Sequence, residues 1–188
     1  MNSSVADLID EVIAKEIRPG KDGHYSNDPN DSGGETAWGI TEYIARKYGW
    51  EGAMIDLPRH IAENIYEQRF WYEPGFYDVS TISMLIAREL FDTGVNSGPE
   101  RACEFLQVSL NALNRRGKDY PDIAEDFDIG PQTLDALRAY LAFRGKLGEK
   151  VLFRNLNNLQ GAFLTDLSRR RQKDEDFMFG WLANRVAL

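Results

Sequence analysis

Apolar residues in this chain recur at helical spacing, and period-two alternation is weak throughout. That pattern disfavours a sandwich or barrel and predicts a mainly α fold. Val5, Leu8, Ile9, Val12, Ile13 and Ile17 mark the apolar face of a first helix over 4–17, which Pro19 and Gly20 stop. Thr41 is placed to cap a helix through Tyr48, with Glu42 in its first turn. A helix over 57–70 follows, then a break at Pro74 and Gly75. Helices are predicted over 82–95 and 99–113, and, after a loop at 114–128, over 131–145, 149–171 and 174–186. The exception is 18–40, rich in Gly, Pro, Asn and Asp. It reads as loop or short hairpin, with a small β element expected in 23–40. Irregular segments of this length in a small protein are often functional. The loop at 114–128 divides the chain into a lobe over 1–113 and a helical lobe over 114–188, which can also pack as one domain.

Composition narrows the function. With 188 residues, 43% hydrophobic and 28% charged, the chain is an ordinary globular protein of one domain, or one with a small added lobe. No apolar stretch approaches the ~20 residues that span a bilayer, so no stable membrane insertion is expected. The start, MNSSVADLIDEVIAKE, lacks the basic and continuous apolar regions of a signal peptide. Synthesis in the cytoplasm is therefore expected. Cys103 is the only cysteine and reads as a small core hydrophobe. His24 and His60 are the only histidines, which makes a zinc site improbable. The net charge of −8 argues against nucleic acid as a partner. The charge is uneven, however. Residues 138–188 hold 10 Lys/Arg against 5 Asp/Glu, and the other 137 residues hold 12 against 25. A basic C-terminal part fits either an anionic polymer or a solvated helix face.

Glu16 is the most informative acid. It lies three residues after Ile13 and four after Val12, so it falls on the apolar stripe of the first helix. An ionised carboxylate there is disfavoured by burial and by the negative end of the helix dipole, and both raise its pKa. An acid kept protonated near neutral pH suits protonation of a glycosidic leaving group. The same spacing also fits a Glu at a frayed helix end reaching water. The loop that follows gathers acids, hydroxyls, glycines and aromatics. Asp31 and Thr36 are candidates to hold a water opposite the acid, as an inverting glycosidase requires. Tyr25 and Trp38 are candidates to border a sugar ring. Asp28, Asn30, Ser32 and Gly33 imitate the start of a calcium loop, but the twelfth position is Gly39 where that loop needs a bidentate Glu. No metal and no cofactor is expected. A plain turn-rich loop remains the alternative.

Glu16, followed by YSNDPNDSGGETAWGIT over 25–41, resembles the signature of the glycoside hydrolase family 108 muramidases. Those are phage endolysins and bacterial relatives, including muramidases that release toxins through the wall. LFDTGVNSG at 90–98, with Ala102, Leu106 and Gln107, is similar to the family's central helix segment. Asn96, inside that segment, joins Tyr25 and Trp38 as a substrate-binding candidate. DIGPQTLDAL at 128–137 and FGWLANRV at 179–186 resemble its C-terminal peptidoglycan-binding module. The resemblance implies a lysozyme-like helical fold. It also implies cleavage of the β-1,4 bond between N-acetylmuramic acid and N-acetylglucosamine, with Glu16, Asp31 and Thr36 catalytic. Peptidoglycan, in the periplasm and of the Gram-negative kind, is the expected partner, and a monomer is expected to suffice. A silent wall-binding protein and a lytic transglycosylase are the rival readings. One departure stands out. The family runs from its Glu directly into Gly-Gly-Tyr, whereas here EIRPGKDGHY fills 16–25. The preferred alignment keeps Glu16 as the acid and treats 17–22 as an insertion. The other places Asp22 on the motif, outside any predicted helix. In the C-terminal lobe, Arg169, Arg170 and Arg171 are expected to meet wall carboxylates. Phe177, Trp181 and Arg185 lie on one face of the last helix.

Overall fold

The computed structural model describes residues 5–16, 24–27 and 34–186. Among them are eight α-helices and one three-stranded antiparallel sheet, so the mainly α expectation holds. The chain divides into two compact units, 1–71 and 72–188.

In the first unit, α1 (Val5–Glu16) packs on α3 (Arg59–Glu67). The stripe expected from the sequence is the buried one: Leu8, Ile9, Val12 and Ile13 are all at most 4% exposed. Ala62, Ile65 and Tyr66 of α3 are buried as well. At the surface, Arg59 pairs with Asp10 of α1 and, at 2.7 Å, with Glu63 one turn on. The sheet comprises β1 (Tyr25–Ser26), β2 (Thr36–Ala37) and β3 (Ile40–Thr41) in that order. It is the small β element expected between 23 and 40. Thr41 then caps α2 (Glu42–Lys47), its hydroxyl accepting from the Ile44 N–H at 3.4 Å. The predicted helix over 57–70 is α3 continued by a π-helical turn, Gln68–Tyr72, at the boundary between the units.

In the second unit a short helix, α4 (Phe76–Ser80), precedes α5 (Met84–Ser97), α6 (Pro99–Leu113), α7 (Pro131–Arg170) and α8 (Glu175–Arg185). The sequence reading missed α4, whose five residues are too few to show a period. α4 lies close to α5 because position 94 is glycine. A Cβ there would meet Phe76 Cε2 at 3.0 Å. Helix α6 has the predicted bounds, starting at Pro99, which suits a first-turn position. The two helices predicted over 131–145 and 149–171 form one element with a non-helical Gly145 inside it (φ 56°, ψ −152°). Two side chains of α6, Gln107 and Asn111, fasten the loop at 114–128, and Asn114 braces it from within. Gln107 donates to Asp128 O and accepts from the Phe127 N–H, at 2.9 and 3.0 Å. Asn111 bonds both Ile123 O and the Ile123 N–H at 2.9 Å. Asn114 accepts from the Gly117 N–H at 3.0 Å. Cys103 is buried with its thiol 3.8 Å from Pro74 O, and burial, then Asp128, push its pKa up to about 12. A thiol so reluctant to ionise is core, as expected.

Candidate active site

The first unit's chemistry centres on the hairpin joining β2 to β3. Trp38 and Gly39 form its two-residue turn, and both have positive φ, 55° and 79°. Glycine adopts that backbone freely; tryptophan does so at a cost. Four contacts hold Trp38 there. Its N–H donates to His24 O at 2.6 Å. Its indole N–H donates to Leu57 O at 2.8 Å, and its carbonyl accepts from the Tyr66 hydroxyl at 3.1 Å. The His24 ring stacks on the indole with centroids 4.5 Å apart. His24 is itself fixed, its Nε2 lying 3.0 Å from Ile55 O. The Arg59 guanidinium lies 6.0 Å from the indole centroid. Trp38 thus ties the sheet to the segment before α3 and to α3 itself.

Register decides which side chains share a face. Tyr25 pairs with Ala37, and Ala37 with Ile40. Ser26 pairs with Thr36, and Thr36 with Thr41. Directly opposed residues point the same way. Ala37 and Ile40 are buried, so one face is the core face and Tyr25 lies on its edge, half-buried. The other face carries a row of three hydroxyls, Ser26, Thr36 and Thr41. Thr41 is committed to its cap. Among the described residues the Thr36 hydroxyl makes one long contact, 3.5 Å to Gly34 O, so it has hydrogen-bonding capacity to spare. Tyr25 and Thr36, adjacent in the sheet, therefore serve opposite faces.

Glu16 is the last residue of α1, in register with the buried stripe at Val12 and Ile13. Its side chain, together with Asp22 and Asp31, lies outside the described residues, as does the calcium-loop mimic at 28–33. A hollow of about 220 Å³ borders the opposite end of α1, lined by Val5, Ala6, Ile9, Asp10, Glu63, Asn64 and Glu67.

Asn96 belongs to the second unit, on α5. Its amide donates to Asp92 O at 2.6 Å and to Asp92 Oδ2 at 3.2 Å, which turns its own oxygen away from that carboxylate. Gln160 of α7 reaches the same Oδ2 at 3.4 Å. Glu89, one turn earlier on α5, is 6% exposed, and its Oε1 has no hydrogen-bond partner. Burial, reinforced by Asp92, pushes its pKa up to about 8. Helical periodicity gave no sign of this buried polar seam; an acid on the inner face of an otherwise apolar helix was the only available signal. Farther along, Arg169 and Arg170 both pair with Asp166, at 3.7 and 2.6 Å. Phe177 and Trp181 stack at 6.0 Å, and the Arg185 side chain lies outside those described.

A helical protein with a small hydroxyl-bearing sheet after its first helix is of the lysozyme-like class, and comparison with known proteins agrees. Residues 15–98 match the family Glycosyl hydrolase 108, and residues 101–186 match a family described as Predicted Peptidoglycan domain. By these matches, a region similar to glycosyl hydrolase 108 precedes a region similar to a peptidoglycan domain. A solved structure with the same fold is that of Brucella abortus SagA, at 22% identity and a TM-score of 0.60. The match covers 93% of this chain and 95% of that one. No curated protein sequence matches the chain. The pair of domains supports glycoside hydrolase activity directed at peptidoglycan.

Proposed function

We propose that the protein is an N-acetylmuramidase that hydrolyses the β-1,4 bond between N-acetylmuramic acid and N-acetylglucosamine. The carrying observation is that the glycosyl hydrolase match opens at residue 15 and takes in both Glu16 and the whole sheet. Glu16, at the end of a buried helical stripe, protonates the leaving oxygen. A water held by Thr36 and deprotonated by Asp31 attacks the anomeric carbon from the other side. The uncommitted Thr36 hydroxyl supports this role. Tyr25, at the sheet edge, borders a sugar ring. Trp38 acts on substrate through the hairpin it fixes, and Asn96 offers its free amide oxygen to the substrate. Residues 1–113 form the catalytic lobe. Residues 114–188 hold the wall, with Arg169, Arg170 and Arg171 steering its carboxylates. The protein works as a monomer in the periplasm after cytoplasmic synthesis, in phage lysis or toxin release.

The test is digestion of purified sacculi followed by mass spectrometry of the fragments. The proposal expects reducing N-acetylmuramic acid ends, and no product from Glu16→Gln. A folded Glu16→Gln that still digests at the wild-type rate, with Asp22→Asn inactive, would move the acid to Asp22. Products with 1,6-anhydro ends would make the enzyme a lytic transglycosylase, and binding without fragments a silent binder.

A further inference from the structure

Two copies of the tripeptide Arg-Gly-Lys, 116–118 and 144–146, stand side by side in the second unit. The first is in the turn after α6, where Arg115, Arg116 and Gly117 all have positive φ (56°, 64° and 73°). Asn114 pins that turn, its side-chain oxygen taking the Gly117 N–H at 3.0 Å and its carbonyl taking the Lys118 N–H at 3.1 Å. Two consecutive non-glycine residues in left-handed backbone carry strain, and here it turns both arginines into solvent. The second copy is the corner at Gly145. All six residues from Ala142 to Leu147 are exposed there, although the segment lies inside a 40-residue helical element. The corner is braced from within by Tyr140, whose buried hydroxyl donates to Gly148 O at 2.9 Å.

The side chains couple the two tips. Asp119, with a side chain only 3% exposed, accepts from Arg115 Nε at 2.9 and 3.0 Å and pairs with Arg144 at 3.6 Å. Arg115 and Arg144 both lie over the Phe143 ring, 4.8 and 5.2 Å from its centroid. Phe143 is nevertheless 57% exposed, and Leu147 is 73% exposed. Around them stand Arg116, Lys118, Lys146 and Lys150. Asp119 is neutralised by the arginines, and Glu149 is turned to the Ser83 hydroxyl at 2.6 Å. In a chain of net charge −8 this is a built cationic crest with two apolar side chains at its top.

We propose that this crest docks the protein on an anionic phospholipid surface. Clustered Lys and Arg are drawn to anionic headgroups, and exposed Phe and Leu beside them enter the headgroup–acyl boundary. A wall glycan would meet the charges but has nothing for Leu147. The contact is peripheral, since no described helix is long and apolar enough to cross a membrane. Docking there would keep a wall-cleaving enzyme next to its substrate.

The experiment floats the full-length protein with vesicles of phosphatidylcholine alone and of equal parts phosphatidylcholine and phosphatidylglycerol, at low and high salt. Wild type is expected to float with the anionic vesicles only, and less so at high salt. Each cation near such a surface is worth about fivefold in partitioning. Arg116→Ser with Lys146→Ser should therefore weaken flotation about twenty-five-fold. Phe143→Ser with Leu147→Ser should weaken it while leaving the salt dependence in place. All four positions are exposed, and circular dichroism checks folding; the wild-type lipid and salt dependence decides the matter even without variants. Equal flotation with neutral vesicles, or none with either, would overturn the proposal. So would variants that float like wild type, or that lose retention on purified sacculi while keeping vesicle binding.

Discussion

In the first unit, Trp38 is held in left-handed backbone by three hydrogen bonds and a stacked ring. In the second, Glu89 lies between helices with one carboxylate oxygen that has no hydrogen-bond partner. The two residues show opposite ways of placing an unfavourable group. The first unit is made of short strands and loops whose backbone needs outside support, so a strained turn is fixed by a surplus of partners. The second is made of long helices that satisfy their own backbone. They accommodate a buried acid by keeping it neutral, with Asn157 its hydrogen-bond partner and no cation among the described residues against it. Side-chain support for the backbone is thus concentrated around the sheet that carries Thr36.

Removing the surplus should have the largest effect. Trp38→Gly keeps a residue that accepts positive φ, so its cost isolates the lost contacts. We expect a destabilisation of about 2–3 kcal/mol, below the range for deleting a fully buried aromatic because Trp38 is half-buried, with hydrolysis of sacculi lost alongside. Unchanged denaturant unfolding would mean that the two side-chain contacts, to Leu57 O and to the His24 ring, do not hold the hairpin.

Filling the deficit should stabilise. The folded pKa of Glu89, about 8, lies above the ordinary carboxylate value. The folded state therefore binds the extra proton, and stability falls as pH rises from the unfolded pKa through the folded one. Glu89→Gln should be close to wild type near pH 5. It should become more stable with rising pH, by roughly 3–5 kcal/mol above pH 8 if the full shift is expressed. Melting curves across that range check this; parallel pH dependences for the two proteins would contradict a neutral Glu89.

Smaller effects sharpen the comparison within the sheet. Thr36→Val keeps the shape and removes the hydroxyl, and should lower kcat roughly tenfold to a hundredfold with little change in stability. Thr41→Ala should do the reverse, costing about 1 kcal/mol through the lost α2 cap while largely sparing kcat. If the two variants behave alike in both assays, the hydroxyl row does not divide into a chemical member and a structural one.

Much of the architecture was legible in the sequence because backbone breakers and periodicity are local signals. Pro99 opens α6, Gly145 interrupts α7, and Thr41 caps α2 where the sequence placed them. The stripe from Leu8 to Ile13 is the buried face of α1. What was not legible depends on residues distant in sequence. That Leu57 and Tyr66 claim the polar groups of Trp38 shows only in the folded chain. Alternation could not reveal that Tyr25 and Thr36 face opposite ways, because each strand is two residues long and register alone settles it. The seam at Glu89 and the pairing of Arg115 with Phe143 exist only once helices and turns have packed.

Glu16 carries the proposed chemistry, and single-turnover digestion of defined peptidoglycan fragments tests its role most directly. Glu16→Gln, folded like wild type by circular dichroism, should lose at least about a hundredfold in rate while still binding sacculi. Activated substrates whose leaving group needs no proton should be cleaved with a much smaller loss. Wild-type turnover by that variant, or an equal loss on both kinds of substrate, would contradict Glu16 as the acid.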